Sequence, residues 1–147
     1  MTKDRNHSPR IAHTMAFKLV ENVMLLVHTN RPPSDEEWGE YVEAVDAQGA
    51  APLAQLVHTQ GGSPNAKQRG AFTKMLAGRT VPVAVLNDSA LVRGAVTAIA
   101  WFNPSLRAFK SADIDAALQY LGVPESRWST LKNDLEDLRA SVQRSAT

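Results

Sequence analysis

The sequence predicts an α/β fold built on a mostly parallel, mixed β-sheet that is covered by helices. Short apolar runs alternate with segments in which apolar residues recur at spacings of three and four. This alternation is typical of strand–helix units joined by right-handed crossovers. The run Val81–Leu86 is almost continuously apolar, which indicates a strand covered on both faces. The first two runs are separated by two residues only, so the sheet should open with an antiparallel hairpin.

The composition limits the classes of function. A chain of 147 residues with formal charge +1 fits one domain, and it offers no basic field for nucleic acid. The absence of cysteine excludes disulfides, thiolate catalysis and cysteine-ligated metals, and it is consistent with a cytoplasmic protein. No apolar stretch reaches the ~20 residues that a membrane span needs. The first residues also lack the apolar segment of a secretory signal.

The N-terminal part predicts a tail, a hairpin and a helix. Residues 1–14 are polar and patternless, so we expect a mobile tail, with Met15 as an alternative start of the natural chain. Phe17–Val20 and Val23–Thr29 form the two hairpin strands. Ser34 with Glu37 is a capping box for the first helix.

The next unit predicts a strand followed by a helix. Leu53–Thr59 is the strand, and a glycine-rich turn follows it. Ser63 as N-cap with Pro64 at the first helical position predicts a helix that runs to about Ala77.

The central unit is a strand, a polar corner, a helix and a strand. After Val81–Leu86 comes the polar corner Asn87–Ser89, which suits turns and helix caps. The only charge in Ala90–Phe102 is Arg93, so this helix should be buried on all sides. Asn103-Pro104 ends it, and Leu106–Phe109 is the next strand.

The C-terminal part predicts a short helix and a long amphipathic one. Residues 15–123 form the α/β domain, and residues 124–147 form the final helix, packed on the domain or on a partner. Its apolar seam is narrow and has charged flanks, as in helices that contact another helix. The seam residues are therefore interface candidates, with a homodimer as one outcome: Trp128, Leu131, Leu135, Leu138 and Val142.

The stretch VAVLNDSALVRGAVTAIAWFNPSLRAFKSADIDAALQYLG, residues 83–122, resembles the STAS domain, the fold of bacterial anti-sigma-factor antagonists. A strand with a small polar turn leads to an apolar helix, a short strand and a helix that ends in Leu-Gly. The resemblance extends over roughly Phe17–Val123 and implies STAS-like, flavodoxin-like layering.

The resemblance also implies a function. STAS-like proteins are typically not enzymes, and many act in regulation and signal transduction by binding a protein partner. The phosphoregulated members carry Ser or Thr at the start of the helix after the middle strand. Here Ser63 is the nearest positional match, and Thr59 is second. Other STAS-like relatives have been linked to lipid or small-ligand binding.

Polar side chains gather where the predicted strands end. His28, His58, Asp88 and Ser89 follow three different strands, and ligands of open α/β sheets meet the carboxyl ends of strands. We interpret the four as a candidate site for a ligand or partner. The alternatives are ordinary polar strand ends and a site with two histidines and a carboxylate for a metal.

No catalytic residue is predicted. Ser89 follows a strand and precedes a helix but lacks the Gly-x-Ser-x-Gly pattern of hydrolase nucleophiles. Gly61-Gly62-Ser63 lacks the ending of a phosphate-binding loop. The sequence thus predicts a non-catalytic, protein-binding regulatory module without cofactor or metal. The alternative is a small-molecule or lipid-binding protein that uses the polar strand ends.

Overall fold

The fold is known from a computed structural model that describes residues 9–11, 14–100 and 105–146. The predicted class is confirmed: a six-stranded mixed sheet is covered by five α-helices. In chain order the elements are β1 (Arg10–Ile11), β2 (Met15–Val20), β3 (Val23–His28), α1 (Asp35–Asp46), β4 (Ala54–Thr59), α2 (Ala66–Leu76), β5 (Val83–Leu86), α3 (Ala90–Ala100), β6 (Leu106–Phe109), α4 (Ile114–Tyr120) and α5 (Trp128–Ala146).

The strands lie in the sheet in the order in which they occur in the chain. β1, β2 and β3 pair antiparallel, and β3 to β6 pair parallel. Each parallel connection therefore advances by one strand in the same direction. Right-handed crossovers of this kind place their helices on one face of the sheet. Accordingly α1, α2 and α3 cover one face, whereas α4 and α5 cover the other.

Two apolar cores fill the space on either side of the sheet, because successive side chains of a strand point to opposite faces. Leu26, Val57 and Val85 belong to the core beneath α1, α2 and α3. Leu56 and Leu86 belong to the core beneath α4 and α5. This alternation decides on which face each strand-end residue lies.

The start of α1 is as predicted, and the start of α2 is not. The Ser34 hydroxyl accepts a hydrogen bond from the Glu37 amide at 3.1 Å, and the Glu37 carboxylate accepts one from the Ser34 amide at 3.0 Å. For α2 the predicted cap Ser63 is wrong, since Asn65 caps the helix in a second capping box with Gln68. Asn65 succeeds because the residue three positions on is a glutamine that can reciprocate. The corresponding partner of Ser63 would be Ala66.

The prediction that the apolar helix after the polar corner is buried is also wrong. None of the residues of α3 is buried, and Leu91 is 85% exposed. α3 packs mainly on β6, which is the edge strand of the sheet. An edge position supports one side of a helix only, so apolar side chains on the other side stay exposed. Trp101, Phe102 and the predicted stop Asn103-Pro104 lie outside the described residues.

α5 packs on its own domain rather than presenting its seam to a partner. Leu131, Leu135, Leu138 and Val142 are at most 2% exposed and belong to the core beneath α4 and α5. Trp128 is half-buried against that core, and its indole N–H donates to the Val123 carbonyl at 2.9 Å. Four of the five residues interpreted as interface candidates are therefore covered within the chain itself, and Trp128 is partly covered there.

The predicted mobile tail contains ordered structure. Arg10 and Ile11 pair with β2, and Thr14 is buried, with its amide and hydroxyl donating to the Glu37 carboxylate at 3.0 Å. Residues 1–8, 12 and 13 lie outside the described part of the chain. Among the helices that are described, none has the length and apolar character needed to cross a bilayer.

Candidate functional site

A cavity of about 330 Å³ lies between the sheet and the helices α2 and α3. We call it the sheet–helix cavity. Its floor is formed by apolar side chains of β3 to β6: Leu26, Val57, Val83, Val85 and Leu106. Its roof is formed mainly by Trp38 of α1, Phe72 of α2, and Val92, Val96 and Ile99 of α3. Ligand pockets are concave, mostly apolar, and of about this volume or larger.

One end of the cavity is polar. There the lining consists of His28, Thr59, Arg69 and the loop Gly61–Pro64. These groups meet because His28 and Thr59 are register partners at the carboxyl ends of β3 and β4. The predicted location of a site at the carboxyl edge of the sheet coincides with this end of the cavity.

His28 is the most buried polar group at that end. It is 2% exposed, and its Nδ1 has no hydrogen-bond partner among the described residues. The imidazole stacks on the Trp38 ring at 6.3 Å between centroids, with 23° between the planes. Burial lowers the pKa of His28 to about 4, although the Glu37 carboxylate acts in the opposite direction. His28 is therefore a neutral imidazole at pH 7.

The Thr59 hydroxyl serves the loop. It donates to the Gly62 carbonyl at 2.6 Å and accepts from the Gly61 amide at 3.0 Å. The Gly62 amide in turn donates to the Thr29 carbonyl at 2.9 Å. These bonds fix the loop at the polar end of the cavity, and they occupy both functions of the Thr59 hydroxyl.

The two strand-end histidines do not form one cluster. His58 directly precedes Thr59, so its side chain lies on the opposite face of the sheet, beneath α5. Burial and, to a smaller extent, the charge of Arg139 lower the pKa of His58 to about 4, and Asp88 and Glu136 oppose this shift. The structure therefore brings His58 close to Asp88 and separates both from His28.

Asp88 and Ser89 have local structural roles. The Asp88 carboxylate accepts from the Ser111 amide at 3.2 Å, and the Ser89 hydroxyl accepts from the Val92 amide at 3.3 Å in the first turn of α3. Asn87, immediately before them, donates its side-chain N–H to the Thr59 carbonyl and ties the ends of β4 and β5 together. Neither Asp88 nor Ser89 lines the sheet–helix cavity.

Ser63 and Thr59, the predicted phosphosites, differ in accessibility. Ser63 is exposed on the rim of the cavity. Thr59 is buried, and its hydroxyl is occupied by the loop. Of these two hydroxyls, only that of Ser63 is placed where an enzyme could reach it without local opening.

Gln68 is important to the cavity, and the sequence patterns did not single it out. Its side chain is buried and donates to the Pro33 carbonyl and the Asp35 carboxylate, both at 3.0 Å. The backbone carbonyl of Gln68 accepts a hydrogen bond from the Trp38 indole N–H at 2.8 Å. Gln68 thereby joins α2 to α1 and fixes Trp38 in the cavity roof. The only sequence signal was its position three residues after Asn65.

The described side chains contain no group of three or more histidines, aspartates and glutamates that could hold a metal ion. Comparison of the chain with protein-family models, with curated proteins and with solved structures gave no match. The cavity and its buried imidazole are the features of the described fold that bear most directly on function.

Proposed function

We propose that this protein binds a small, largely apolar molecule in the sheet–helix cavity and acts as a non-catalytic binding protein. The observation that carries the proposal is the cavity itself, with the unpartnered imidazole of His28 at one end. Protein interiors are normally close-packed, and voids larger than a water molecule are few in a domain. Buried polar groups without a partner are similarly rare. The Nδ1 atom of His28 is one of four such side-chain atoms among the described residues, and the His28 ring also lines the cavity.

The wall formed by α3 also supports binding. Val92, Val96 and Ile99 line the cavity, yet none of them is fully buried. An element with few buried contacts opens at low free-energy cost. Movement of α3 away from β6 would let an apolar molecule enter the cavity.

The test uses two tryptophan substitutions one residue apart on α3. Val96→Trp fills the cavity, whereas Thr97→Trp places the same ring at an exposed neighbouring position. Protein purified from its own host is weighed by native mass spectrometry, and any bound molecule is extracted and identified. We expect a small molecule on the wild type and on Thr97→Trp, and little or none on Val96→Trp. A wild-type protein without any bound molecule, or equal retention by both variants, would contradict the proposal.

The second candidate is the STAS-like regulatory module, which would dock a protein partner around the loop 61–68. It is favoured by the exposure of Ser63 on that loop. A phosphate there would add negative charge beside Arg69, whose guanidinium donates to the adjacent Pro64 carbonyl at 2.8 Å. A partner captured from native lysate should then distinguish Ser63→Asp from Ser63→Ala by about tenfold in affinity. Equal binding by the two variants would remove the phosphoregulated form of this function.

A further inference from the structure

Most of the polar groups that line the sheet–helix cavity lie at one end of it, and Gln55 lies at the other end. His28, Arg69 and the loop Gly61–Pro64 lie at the carboxyl end of the strands. From Thr59 back to Gln55 the cavity follows four residues of β4, a distance of about 13 Å at ~3.3 Å per residue. Apart from Gln55, the floor along this distance is apolar. A ligand that matches the cavity therefore has one polar head and an elongated apolar body.

The ligand head would lie beside His28, which lines the polar end of the cavity. The Nδ1 atom of this imidazole is buried without a partner, whereas the neighbouring Thr59 hydroxyl is fully used by the loop. The Glu37 carboxylate, which acts electrostatically on His28, accepts hydrogen bonds from Thr14 and Ser34. The imidazole ring lines this end of the cavity together with Arg69, so a ligand head would lie beside both.

The charged side chains that line the cavity indicate which kind of polar head the ligand carries. Arg69 is the charged side chain of the lining, and no aspartate or glutamate among the described residues takes part in it. One nitrogen of the guanidinium is held by the Pro64 carbonyl at 2.8 Å, which keeps the group at the loop end of the cavity. Arginine presents several donors in a planar fork that matches a carboxylate. A carboxylate is consequently a better match than a neutral or cationic head.

We infer that the ligand is a carboxylic acid with an apolar tail, its carboxylate near His28 and Arg69 and its tail along β4 and β5 beneath α3. This inference rests on the proposed function, because it names the class of molecule that the cavity takes. Two kinds of apolar tail fit this description: an alkyl chain of medium length, or an aryl group that lies beside Trp38 and Phe72.

Calorimetric titration with three probes tests the inference on the full-length protein freed of bound molecules. Decanoate and decanol share one tail and differ in the head, and hydrocinnamate has an aryl tail. The variants are Arg69→Gln and, as a control on the same helix, Lys74→Gln, which removes an equal charge at an exposed position outside the lining. We expect the wild type to prefer decanoate or hydrocinnamate over decanol by about tenfold or more, as for a charge-assisted hydrogen bond. Lys74→Gln should keep this preference, and Arg69→Gln should lose most of it.

His28→Asn provides an independent readout, after circular dichroism has shown that this variant folds. The substitution should weaken the binding of decanoate more than the binding of decanol. Tighter binding of decanoate than of hydrocinnamate identifies an alkyl tail, and the reverse identifies an aryl tail; either result supports the inference.

Equal binding of decanol and decanoate to the wild type and to Arg69→Gln would overturn the carboxylate head while leaving the cavity as a binding site. Binding of none of the three probes would also overturn it. The proposed function is then judged separately by the mass measured on Val96→Trp and Thr97→Trp.

Discussion

His28 is the last residue of β3 and His58 is the residue before the last of the neighbouring strand β4, yet their imidazoles lie on opposite faces of the sheet. His28 stacks on Trp38 beneath the helices α1 to α3, and His58 is buried beneath α5 near Asp88. The register pairs His28 with Thr59, not with His58. Because side chains alternate along a strand, this offset of one residue assigns the two histidines to separate environments.

Both histidines should make the stability of the protein depend on pH. Each has a pKa of about 4 in the folded state, against 6.5 when unfolded. The unfolded chain therefore binds protons first as the pH falls below about 6.5, and stability is lost until the folded-state pKa is reached. Between pH 7 and pH 5 we expect His28 to account for a loss of about 2 kcal/mol in the free energy of unfolding, and His58 for a smaller loss because solvent screens it more.

Urea unfolding at these two pH values measures this loss. His28→Leu and His58→Leu should each reduce the pH dependence of stability, and His28→Leu should reduce it more. The Glu37 carboxylate does not interfere. Burial alone would raise the pKa of Glu37, but hydrogen bonds from Ser34 and Thr14 lower it below its usual value, so it titrates at more acidic pH. A stability independent of pH between 7 and 5 would show that neither imidazole is kept neutral by the fold.

Two leucine-to-alanine substitutions should show that α5 contributes more than α3 to the free energy of unfolding. Leu135→Ala removes a side chain that is 2% exposed, and we expect a loss of about 2–5 kcal/mol in the free energy of unfolding. Leu91→Ala removes a side chain that is 85% exposed, and its effect should stay within about 0.5 kcal/mol. Chemical denaturation measures both. Similar values for the two variants would mean that α5 does not complete the core.

Gly62→Ala should disturb the polar end of the cavity. A Cβ atom at this position would lie 2.6 Å from the Thr29 carbonyl oxygen and closer still to that of Arg31. Both neighbours are backbone atoms, so the loop itself must shift. We expect destabilisation of about 1–3 kcal/mol and weaker ligand binding.

Gly70→Ala is the matched control for that change, because a Cβ atom there meets nothing within 4 Å and α2 should gain stability. Thermal unfolding compares the two variants. An unchanged melting temperature and unchanged binding in Gly62→Ala would contradict the close approach of the loop to β3.

Gln68→Ala should weaken the junction between α1 and α2. The substitution leaves the Pro33 carbonyl and the Asn65 amide without their partners, and such losses cost about 1–3 kcal/mol. Gln119→Ala, at an exposed position of α4, is the control and should have little effect. A nearly neutral Gln68→Ala, measured by urea unfolding, would show that water replaces these contacts at no cost.

The regular parts of the fold could be predicted because local pattern and long-range packing agree there. The strand runs, the Ser34 capping box and the seam of α5 all follow from residue spacing. The burial of α3 could not be predicted, since an apolar sequence does not say that its strand partner β6 lies at an edge. For Ser63, the Ser-Pro signal competed with the Asn65–Gln68 pair, and the reciprocal pair of bonds prevailed.

The candidate site was predictable only in part. The carboxyl edge of the sheet and His28 were singled out from sequence, but the partition of His28 and His58 between two faces depends on strand register. The sheet–helix cavity depends on how closely α2 and α3 approach the strands, and no residue pattern encodes that distance. The positions of Arg69 and Gln68 at the cavity depend on that distance.

The last helix of the chain, α5, lies against β2 and β3, the strands of the opening hairpin. During synthesis on the ribosome, the apolar side chains on that face of the hairpin emerge long before their cover. Until α5 leaves the exit tunnel, the apolar side chains on this face of the hairpin stay exposed and can bind other apolar surfaces. A chaperone that holds the hairpin, or a pause in synthesis before α5 is made, would therefore govern how much of the newly made chain reaches its native form.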